Sequence, residues 1–435
     1  MDEREQYERE KYEIEQHDRE RRIKRRKLKQ ARRRRIRRMK MIACIVVLLL
    51  LILGIAGLYS CSQKGDKKGE TEEKVVETEQ KVEEPEVYVE PEVDIVMVGD
   101  ILLHTPVQES GKLGDGTYNY DHLFAEVKED IQAADIAIAN QEVILGGTEL
   151  GLSGYPNFNG PYEVGDALAD AGFNVILHAT NHTLDKGKQA LVNCMNFWKN
   201  EHSDVAVLGI FDSQEAYDND IYVYEQDGIK IAILNYTYGT NGMPFPDDMP
   251  YAVALLEKEK VVSDIQKANE LADFVVVCPH WGTEYEHVQD SNQDYWSEIF
   301  LANGVDLVIG THTHYIQPVE MLSDENGNTM LVYYSLGNFI NATADSGSGT
   351  ADRMIGEMAQ ITVAKKENGE VYIKDYGVEP LVTQLLYGTQ EITTYKLSDY
   401  TEELAAKNKI LEKDSVFSLE FCQNLCEEVL GELYQ

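Results

Sequence analysis

Beyond residue 92, short apolar runs alternate with amphipathic stretches. The apolar runs are rich in Val and Ile and occupy residues 93–98, 135–139, 174–177, 231–234, 274–278, 306–309 and 331–334. Uninterrupted runs of this length are typical of strands that are buried on both faces of a sheet. Helical periodicity separates them, most clearly in residues 188–199 and 261–272. The alternation of strands and helices predicts an α/β domain.

The pattern changes on both sides of this domain. Strand-like pieces with a turn signal at residues 367–369 continue to about residue 385, and residues 386–435 follow with a helical, acidic pattern. We therefore place the main domain at residues 93–385 and a C-terminal helical extension at residues 386–435. Glu, Lys and Pro dominate residues 61–92, which have little to bury and are predicted to form an acidic, disordered linker.

A charge-free segment precedes this linker. Residues 41–59 contain no ionisable carboxylate, ammonium or guanidinium group, and at about 1.5 Å per residue they span about 28 Å, close to a bilayer's hydrocarbon core. We predict a transmembrane helix at residues 41–60. An alternative is a lipoprotein signal with Cys61 as the lipidated residue, although Tyr59 is bulky for such a cleavage site.

Charge is distributed very unevenly along the chain. Residues 1–40 carry 18 basic and 9 acidic residues, whereas the remainder carries 22 basic and 67 acidic ones. Basic residues beside a span favour the cytoplasmic side and contact anionic lipid headgroups, so nucleic acid is not expected as a partner. We expect a single-pass protein of the cell membrane, with a basic cytoplasmic arm at residues 1–40 and the acidic domain outside.

Side chains suited to metal binding follow several of the predicted strands. They are two carboxylates, one amide and four imidazoles: Asp100, Glu142, Asn181, His182, His280, His312 and His314. Ligands in open α/β sheets bind beyond the carboxyl ends of strands, so we expect these groups at one edge. Imidazole with carboxylate suits Mn, Zn or Fe, and the number of ligands suits two divalent ions. Individually, Asp100 is equally consistent with a helix cap, Asn181 with a turn, and a lone histidine with a structural role.

The order of these motifs resembles a known family. Gly99-Asp100, Asn140-x-Glu142, Asn181-His182-x-x-Asp185, His280-Trp281-Gly282, His312-x-His314 and Ser335-Leu336-Gly337-Asn338-Phe339 occur as in the CapA-type poly-γ-glutamate capsule synthesis proteins, a branch of the metallophosphatase-like superfamily. The resemblance implies a four-layer α/β/β/α sandwich of the metallo-dependent phosphatase type. It also implies two divalent metals, with Asp100 and His314 on the first, Asn181, His280 and His312 on the second, and Glu142 at the bridging position.

The resemblance further implies that His182, helped by Asp185, acts as a catalytic acid or stabilises charge on the attacked group. Two departures concern the first metal. Metallophosphatases usually carry Asp-x-His at the first motif, where this chain has Leu102, with His104 two residues further on as a conceivable substitute. Glu142 stands where the superfamily has a bridging aspartate.

Three functions are compatible with these features. The first is a metal-dependent hydrolase that acts on an anionic envelope polymer such as poly-γ-glutamate, or on a phosphoester as a general envelope metallophosphoesterase. The second is a non-catalytic accessory factor for export or retention of the polymer, working with other membrane proteins of capsule synthesis. The third is an interaction module with a vestigial metal edge. The acidic domain should repel a polyanion at low salt unless divalent ions or a local basic groove offset its charge.

Overall fold

The computed structural model describes residues 88–434. Its strands are β1 Glu92–Ile101, β2 Ile136–Asn140, β3 Val175–Leu177, β4 Ala206–Leu208, β5 Tyr222–Gln226, β6 Ile229–Thr237, β7 Phe274–His280, β8 Leu307–Ile309, β9 Val319–Ser323, β10 Thr329–Tyr333, β11 Asn338–Ile340, β12 Ile355–Lys365, β13 Val371–Leu385 and β14 Ile392–Lys396. Its α-helices are α1 Thr105–Ser110, α2 Lys128–Ala133, α3 Glu163–Ala171, α4 Gly187–Glu201, α5 Gln214–Asn219, α6 Lys258–Leu271, α7 Ser291–Ala302, α8 Glu402–Lys407 and α9 Leu419–Leu430.

The strands form two mixed sheets. The first has the order β14-β13-β12-β1-β2-β3-β4, with β11 paired beside the end of β1, and the second has the order β5-β6-β7-β8-β10-β9. Strands β1 to β4 run parallel, as do β6, β7, β8 and β10. Antiparallel strands flank each parallel set: β12 beside β1, and β5 and β9 at the edges of the second sheet. Parallel strands thus end together at one edge of each sheet.

The two sheets share one apolar layer. Ile95 and Met97 of β1 belong to the same buried cluster as Ile231 of β6 and Val276 of β7. The alternate residues of these strands, such as Val96, belong to a second cluster with side chains of α3, α4, α6 and α7. Both faces of the central strands are therefore buried, which explains why their sequences read as continuous apolar runs.

The predicted α/β class is confirmed. Each of the seven predicted strands corresponds to an observed strand, and the predicted helices correspond to α4 and α6. The sequence pattern missed β4, β5, β9, β11 and β14, most of them short or half-exposed edge strands. The C-terminal segment is not helical throughout, because β14 pairs along β13 before α8 begins, and β-branched Ile392, Thr393 and Thr394 suit that pairing.

Several predictions concern residues outside the described range. The basic arm, the transmembrane helix at 41–60, lipidation at Cys61 and nearly all of the linker fall on residues 1–87, so they stay predictions. Among residues 88–434, no helix combines the length and the apolar composition needed to cross a membrane.

One buried carboxyl group lies away from the predicted site, and its protonation in the folded protein can be tested. Glu357 on β12 is fully buried, and neither of its side-chain oxygens has a hydrogen-bond partner among the described residues. Burial raises the pKa of Glu357 well above its ordinary value. The folded protein therefore keeps this proton at a pH where the unfolded chain, with a glutamate pKa of about 4.3, has lost it.

We expect Glu357→Gln to stabilise the protein increasingly as pH rises from about 5 to 8. The wild type loses stability as pH rises above the unfolded-state pKa, because folding then requires proton uptake, and the amide removes that requirement. Thermal unfolding of both proteins across this range would measure the difference in midpoint. A difference that stayed constant with pH would contradict the assignment of a proton to Glu357.

Candidate metal centre

The predicted ligands lie where the parallel strands of both sheets end. Asp100 is the penultimate residue of β1, and His280 is the last residue of β7. Glu142 follows β2, while Asn181 and His182 follow β3, and His312 and His314 follow β8. All seven side chains are buried. The predicted convergence at the strand ends is therefore present in the structure, although metal binding itself stays a prediction.

The backbone around Asp100 is held by close packing of a neighbouring loop. The Asp100 amide donates to the Gly337 carbonyl at 2.9 Å, and a Cβ on Gly99 would lie only 2.0 Å from that same oxygen. A side chain at residue 99 would force the two segments apart. The glycine of the Gly99-Asp100 motif therefore permits the close contact with Gly337 that holds the backbone of Asp100.

His312 and His314 converge through a backbone conformation that the sequence did not predict. Both residues have positive φ, 96° and 58°. This left-handed backbone is uncommon for non-glycine residues and is held here by tertiary contacts. The His312 amide donates to Asp100 Oδ2 at 3.1 Å, and the Tyr285 amide donates to the Thr313 carbonyl at 2.8 Å.

Within residues 88–434, two groups of side chains have donor atoms close enough to hold one ion each. The first is Glu142, His280 and His312, and the second is Asp100, Glu142 and His314; within each group the atoms lie within 4.8 Å of one another. Glu142 belongs to both groups. Its Oε1 lies 3.7 Å from His280 Nε2 and 3.9 Å from His314 Nε2. The assignment of these residues to two metals, with Asn181 on the second, stays a prediction.

Buried atoms without partners indicate that this donor set fits metal ions. Neither side-chain oxygen of Glu142 nor His312 Nδ1 has a hydrogen-bond partner in the described part of the chain. Buried polar atoms are nearly always paired in proteins, and a cation between them would satisfy all three. Burial is also the main cause that lowers the pKa of His280 and of His312, so both imidazoles are held neutral, as metal ligands require.

The buried surroundings of the site also disfavour two negatively charged carboxylates close together. Burial raises the pKa of Glu142 well above its ordinary value, and the nearby charges of Asp100, Glu284 and Asp185 raise it further. Two buried carboxylates side by side are costly unless a positive charge lies between them. The electrostatics of the site therefore also favour bound cations.

Neighbouring polar groups orient the candidate ligands. Asn140 Nδ2 donates to Asp100 Oδ1 at 2.7 Å. His280 Nδ1 lies 3.0 Å from Thr311 Oγ1, which leaves His280 Nε2 free to face Glu142 Oε1 and Asn181 Oδ1, the latter at 3.0 Å. Such supporting hydrogen bonds fix the direction of imidazole and carboxylate ligands.

Asn338 orients another candidate ligand. Its Oδ1 lies 3.0 Å from His314 Nδ1. No role was predicted for Asn338, nor for Asn140 or Thr311. The motifs that contain the two asparagines were recognised, but the sequence could not show that their amides face the site.

His182 and Asp185 form a buried pair beside the two donor groups. His182 Nδ1 lies 2.7 Å from Asp185 Oδ2, which also accepts from the Phe158 amide at 2.7 Å. His182 Nε2 faces the site, 4.0 Å from Glu142 Oε1. The Phe158 ring packs edge-on against the imidazole, with the ring centres 4.7 Å apart. The carboxylate thus holds one ring nitrogen and leaves the other directed at the candidate metal ligands.

The residues that depart from the superfamily's first motif lie beside the site. Leu102 is buried, and its amide donates to the Ile340 carbonyl. His104 occupies the N-cap position of α1 without a side-chain capping hydrogen bond, and it is not a member of either donor group. Burial, followed by the charge of His314, lowers the pKa of His104 to about 3. His104 therefore lies near the site without supplying the ligand that the first motif lacks.

Three solvent-exposed tyrosines surround the site. Tyr238 packs its ring 4.5 Å from that of His312, and Tyr285 packs 5.9 Å from that of His314. Tyr155 lies further out, 6.3 Å from Phe158, with 70% of its surface exposed. These tyrosines form an aromatic rim on the solvent-exposed side of the buried ligands.

Comparison with known proteins agrees with the motifs. Residues 94–343 match the family model described as bacterial capsule synthesis protein PGA_cap. The capsule biosynthesis protein CapA of Bacillus anthracis is 26% identical over 256 residues, covering 57% of this chain and 59% of that protein. The PGA biosynthesis protein CapA of Bacillus subtilis (strain 168) is 29% identical over 174 residues, covering 40% and 44%. The chain thus matches less than two thirds of the length of either relative.

Solved structures show a partial likeness of fold. The NAD nucleotidase of Haemophilus influenzae aligns with a TM-score of 0.43 and 12% identity, covering 80% of this chain and 65% of that one. A 5′-nucleotidase precursor of Thermus thermophilus aligns with a TM-score of 0.41 and 14% identity, covering 67% and 54%. The family assignment rests on the sequence match, which spans more than half of the chain. The chain belongs to the bacterial capsule synthesis protein family PGA_cap.

Proposed function

We propose that the chain is a membrane-anchored, extracytoplasmic hydrolase of capsule biosynthesis that uses two divalent cations to cleave a bond in an anionic envelope polymer. Poly-γ-glutamate is the polymer that membership of the family favours, and a phosphoester is the alternative substrate. A four-layer sandwich related to metallo-dependent phosphatases is part of the proposal. It is supported by the two facing sheets with helices packed on their outer faces.

One observation carries this proposal. Glu142 is completely buried, is shared by two groups of potential ligands, and has no partner for either oxygen within the described residues. Glu357 is also buried without partners, but it belongs to neither group of potential ligands in the described chain, so membership of both groups is what distinguishes Glu142 as the candidate bridge between two cations.

The proposed site residues divide into those that would hold the cations and those that would take part in the reaction. Asp100, Glu142 and His314 would hold one cation, and Glu142, His280 and His312, with Asn181 nearby, would hold the other. Two such cations would supply positive charge to stabilise negative charge on the attacked group, and they would lower the pKa of a nearby water. Asn140 and Asn338 keep Asp100 and His314 in position.

His182 is the group placed to move a proton. Its Nε2 is directed toward Glu142, and Asp185 fixes the opposite nitrogen. An imidazole held in this way donates a proton to a leaving group at the site, a step that typically accelerates reactions about 10²–10⁴-fold. The edge-on contact with Phe158 limits rotation of the ring and shields it from water.

The cellular placement is also proposed. The charge-free segment at 41–60 and the preceding arginines support an anchor with the domain outside, where other membrane proteins of capsule synthesis are expected partners. Protease treatment of intact spheroplasts should remove an epitope fused after residue 435. Protection of that epitope until the membrane is lysed would contradict this orientation.

The activity is tested by metal analysis of the full chain, purified in mild detergent. We expect about two equivalents of Mn, Zn or Fe, loss of activity on chelation, and recovery on adding one of these ions. Cleavage would be assayed with bis-nitrophenyl phosphate and with poly-γ-glutamate of defined length. Absence of bound metal would contradict the proposed centre, whereas bound metal without cleavage would favour a non-catalytic export factor.

A further inference from the structure

Tyr238 lies against the group of candidate ligands that contains His280 and His312. It directly follows β6, whose last residue, Thr237, lies opposite His280 in the second sheet. Its backbone amide donates to the His280 carbonyl at 3.0 Å, and the centre of its ring lies 4.5 Å from that of His312. The backbone and the ring of Tyr238 therefore contact two of the three candidate ligands in this group.

The side-chain amide of Asn181 approaches the same group. Its Oδ1 lies 3.0 Å from His280 Nε2. Two ligands that each lie about 2.1 Å from one tetrahedral or octahedral ion are about 3–3.4 Å apart. This oxygen and this nitrogen are therefore spaced as two donors to a single cation. Because only the oxygen of an amide binds a cation, the orientation of the Asn181 amide decides whether Asn181 can act as a ligand.

The hydroxyl of Tyr238 contacts two amide side chains. It donates to Asn241 Oδ1 at 3.2 Å, so its own oxygen is left to accept a hydrogen bond. Burial is the main cause that raises the pKa of Tyr238, and a hydrogen bond between the hydroxyl and the Asn181 side chain opposes it. Because the phenol proton is directed to Asn241, the partner that fits the phenol oxygen is the NH2 group of Asn181. The Asn181 oxygen is thereby turned away from the hydroxyl and towards His280.

The turn that follows β6 holds Asn241 in place. Asn241 has a φ of 51°, a left-handed conformation that asparagine tolerates better than most residues. Thr240 closes the turn, because its Oγ1 donates to the Met243 carbonyl and the Met243 amide donates to the Thr240 carbonyl, each at 2.8 Å. Residues in this backbone conformation cluster at functional sites, where the surrounding structure holds them. The acceptor for the Tyr238 hydroxyl is therefore fixed by a closed turn.

These contacts join into one chain of hydrogen bonds that ends at a candidate ligand. We propose that the Tyr238 hydroxyl, held by Asn241, orients the Asn181 amide so that its oxygen faces the second of the two cations. Tyr238 is thus a positioning residue for metal binding and takes no direct part in the reaction. This inference rests on the proposed function and concerns only one of its two cations. Removing a group that orients a metal ligand typically costs about 10–100-fold in metal affinity.

Titration of the metal-depleted full chain with Mn²⁺ measures this role without any assay of activity. Two binding steps are expected, and the step that disappears in His312→Asn identifies the second cation. Tyr238→Phe keeps the ring on His312 and removes only the hydroxyl, so we expect the second step to weaken about tenfold while the first stays close to that of the wild type. Tyr285→Phe is the matched control, because Tyr285 packs on His314 in the same aromatic rim, and both steps should equal those of the wild type.

A change of Asn181 itself separates orientation of the amide from a general structural effect. In Asn181→Asp, the carboxylate presents an oxygen to the cation in either orientation, so no hydroxyl is needed to select one. We therefore expect Tyr238→Phe to have no effect on the second step in the Asn181→Asp background. An equal loss of affinity in both backgrounds would overturn the proposal, because the hydroxyl would then act on something other than the amide.

Asn241→Gly tests the outer end of the chain of hydrogen bonds. Glycine adopts positive φ without strain, so the turn is kept while the acceptor is lost. The second step should weaken by less than in Tyr238→Phe, since water replaces an acceptor that is exposed to solvent. A larger loss than in Tyr238→Phe would contradict the proposal, because the turn and not the hydroxyl would then hold Asn181.

The positioning role and the proposed function fail in different ways. Wild-type affinity for both cations in Tyr238→Phe would overturn the positioning role and leave the hydrolase proposal standing. A wild-type chain that binds none of Mn, Zn and Fe would overturn the hydrolase proposal itself. Equal weakening of both steps in Tyr238→Phe would overturn the assignment of Tyr238 to the second cation.

Discussion

Glu142→Gln is expected to bind at most one metal ion and to lose more than about 100-fold in activity, because even residues that only support metal ligands typically cost 10–100-fold. Glu142 is the one residue shared by both donor groups in the described part of the chain. The amide lacks the negative charge that would offset two cations. Metal content and turnover of the purified full chain would measure both effects.

The same substitution should have the opposite effect on the metal-free protein. In the absence of metal, Glu142 is a buried carboxyl without a hydrogen-bond partner, and it lies near Asp100. The folded, metal-free protein must take up a proton at Glu142, whereas the amide needs none, so the variant should stabilise the chelated protein at neutral pH. Thermal unfolding with and without metal would show a higher midpoint for the chelated variant and a smaller rise on adding metal.

Glu357→Gln is the matched control for Glu142→Gln. Glu357 is also fully buried and without hydrogen-bond partners within residues 88–434, but it belongs to neither donor group. The Glu357→Gln variant should be more stable than the wild type at neutral pH, and it should keep the metal content and activity of the wild type. Equal metal loss in both variants would contradict the bridging role of Glu142. The loss of metal would then result from removing any buried carboxylate, not from removing a shared ligand.

His182→Asn is expected to reduce turnover about 10²–10⁴-fold with metal content unchanged, as is typical when a positioned acid is removed. His182 belongs to neither donor group, yet its Nε2 lies 4.0 Å from Glu142. Asparagine keeps a polar group near Asp185 but has no proton to transfer at neutral pH. Turnover and metal content measured on the same preparation separate a chemical role from a structural one.

Asp185→Asn should produce a smaller loss, because the imidazole would remain but would no longer be fixed by a carboxylate. The double variant should be no slower than His182→Asn, since the two residues act as one unit. His202→Asn is the control: His202 pairs with Asp166 at 2.7 Å, the same type of contact, but at the end of α4. Loss of activity there as well would contradict a specific role for His182.

The sequence by itself determined the fold class and the identity of the candidate ligands. Strands buried on both faces must be apolar throughout, so β1, β2, β7 and β8 were visible as runs of Val and Ile. Polar groups directly after such runs lie at the sheet edge, which located Asp100, His280 and His312 in advance. Short edge strands such as β4 and β14 have no such constraint, and their pattern was therefore too weak to detect.

Only the tertiary structure decided how these groups face one another. Glu142 is shared by both donor groups because β2 of one sheet ends opposite β7 and β8 of the other, a relation between sheets that has no local signal. The positive φ values of His312 and His314 are likewise imposed by contacts with distant segments. Local sequence thus determines which chemical groups are present at each strand end, whereas long-range packing determines their distances and therefore their chemistry.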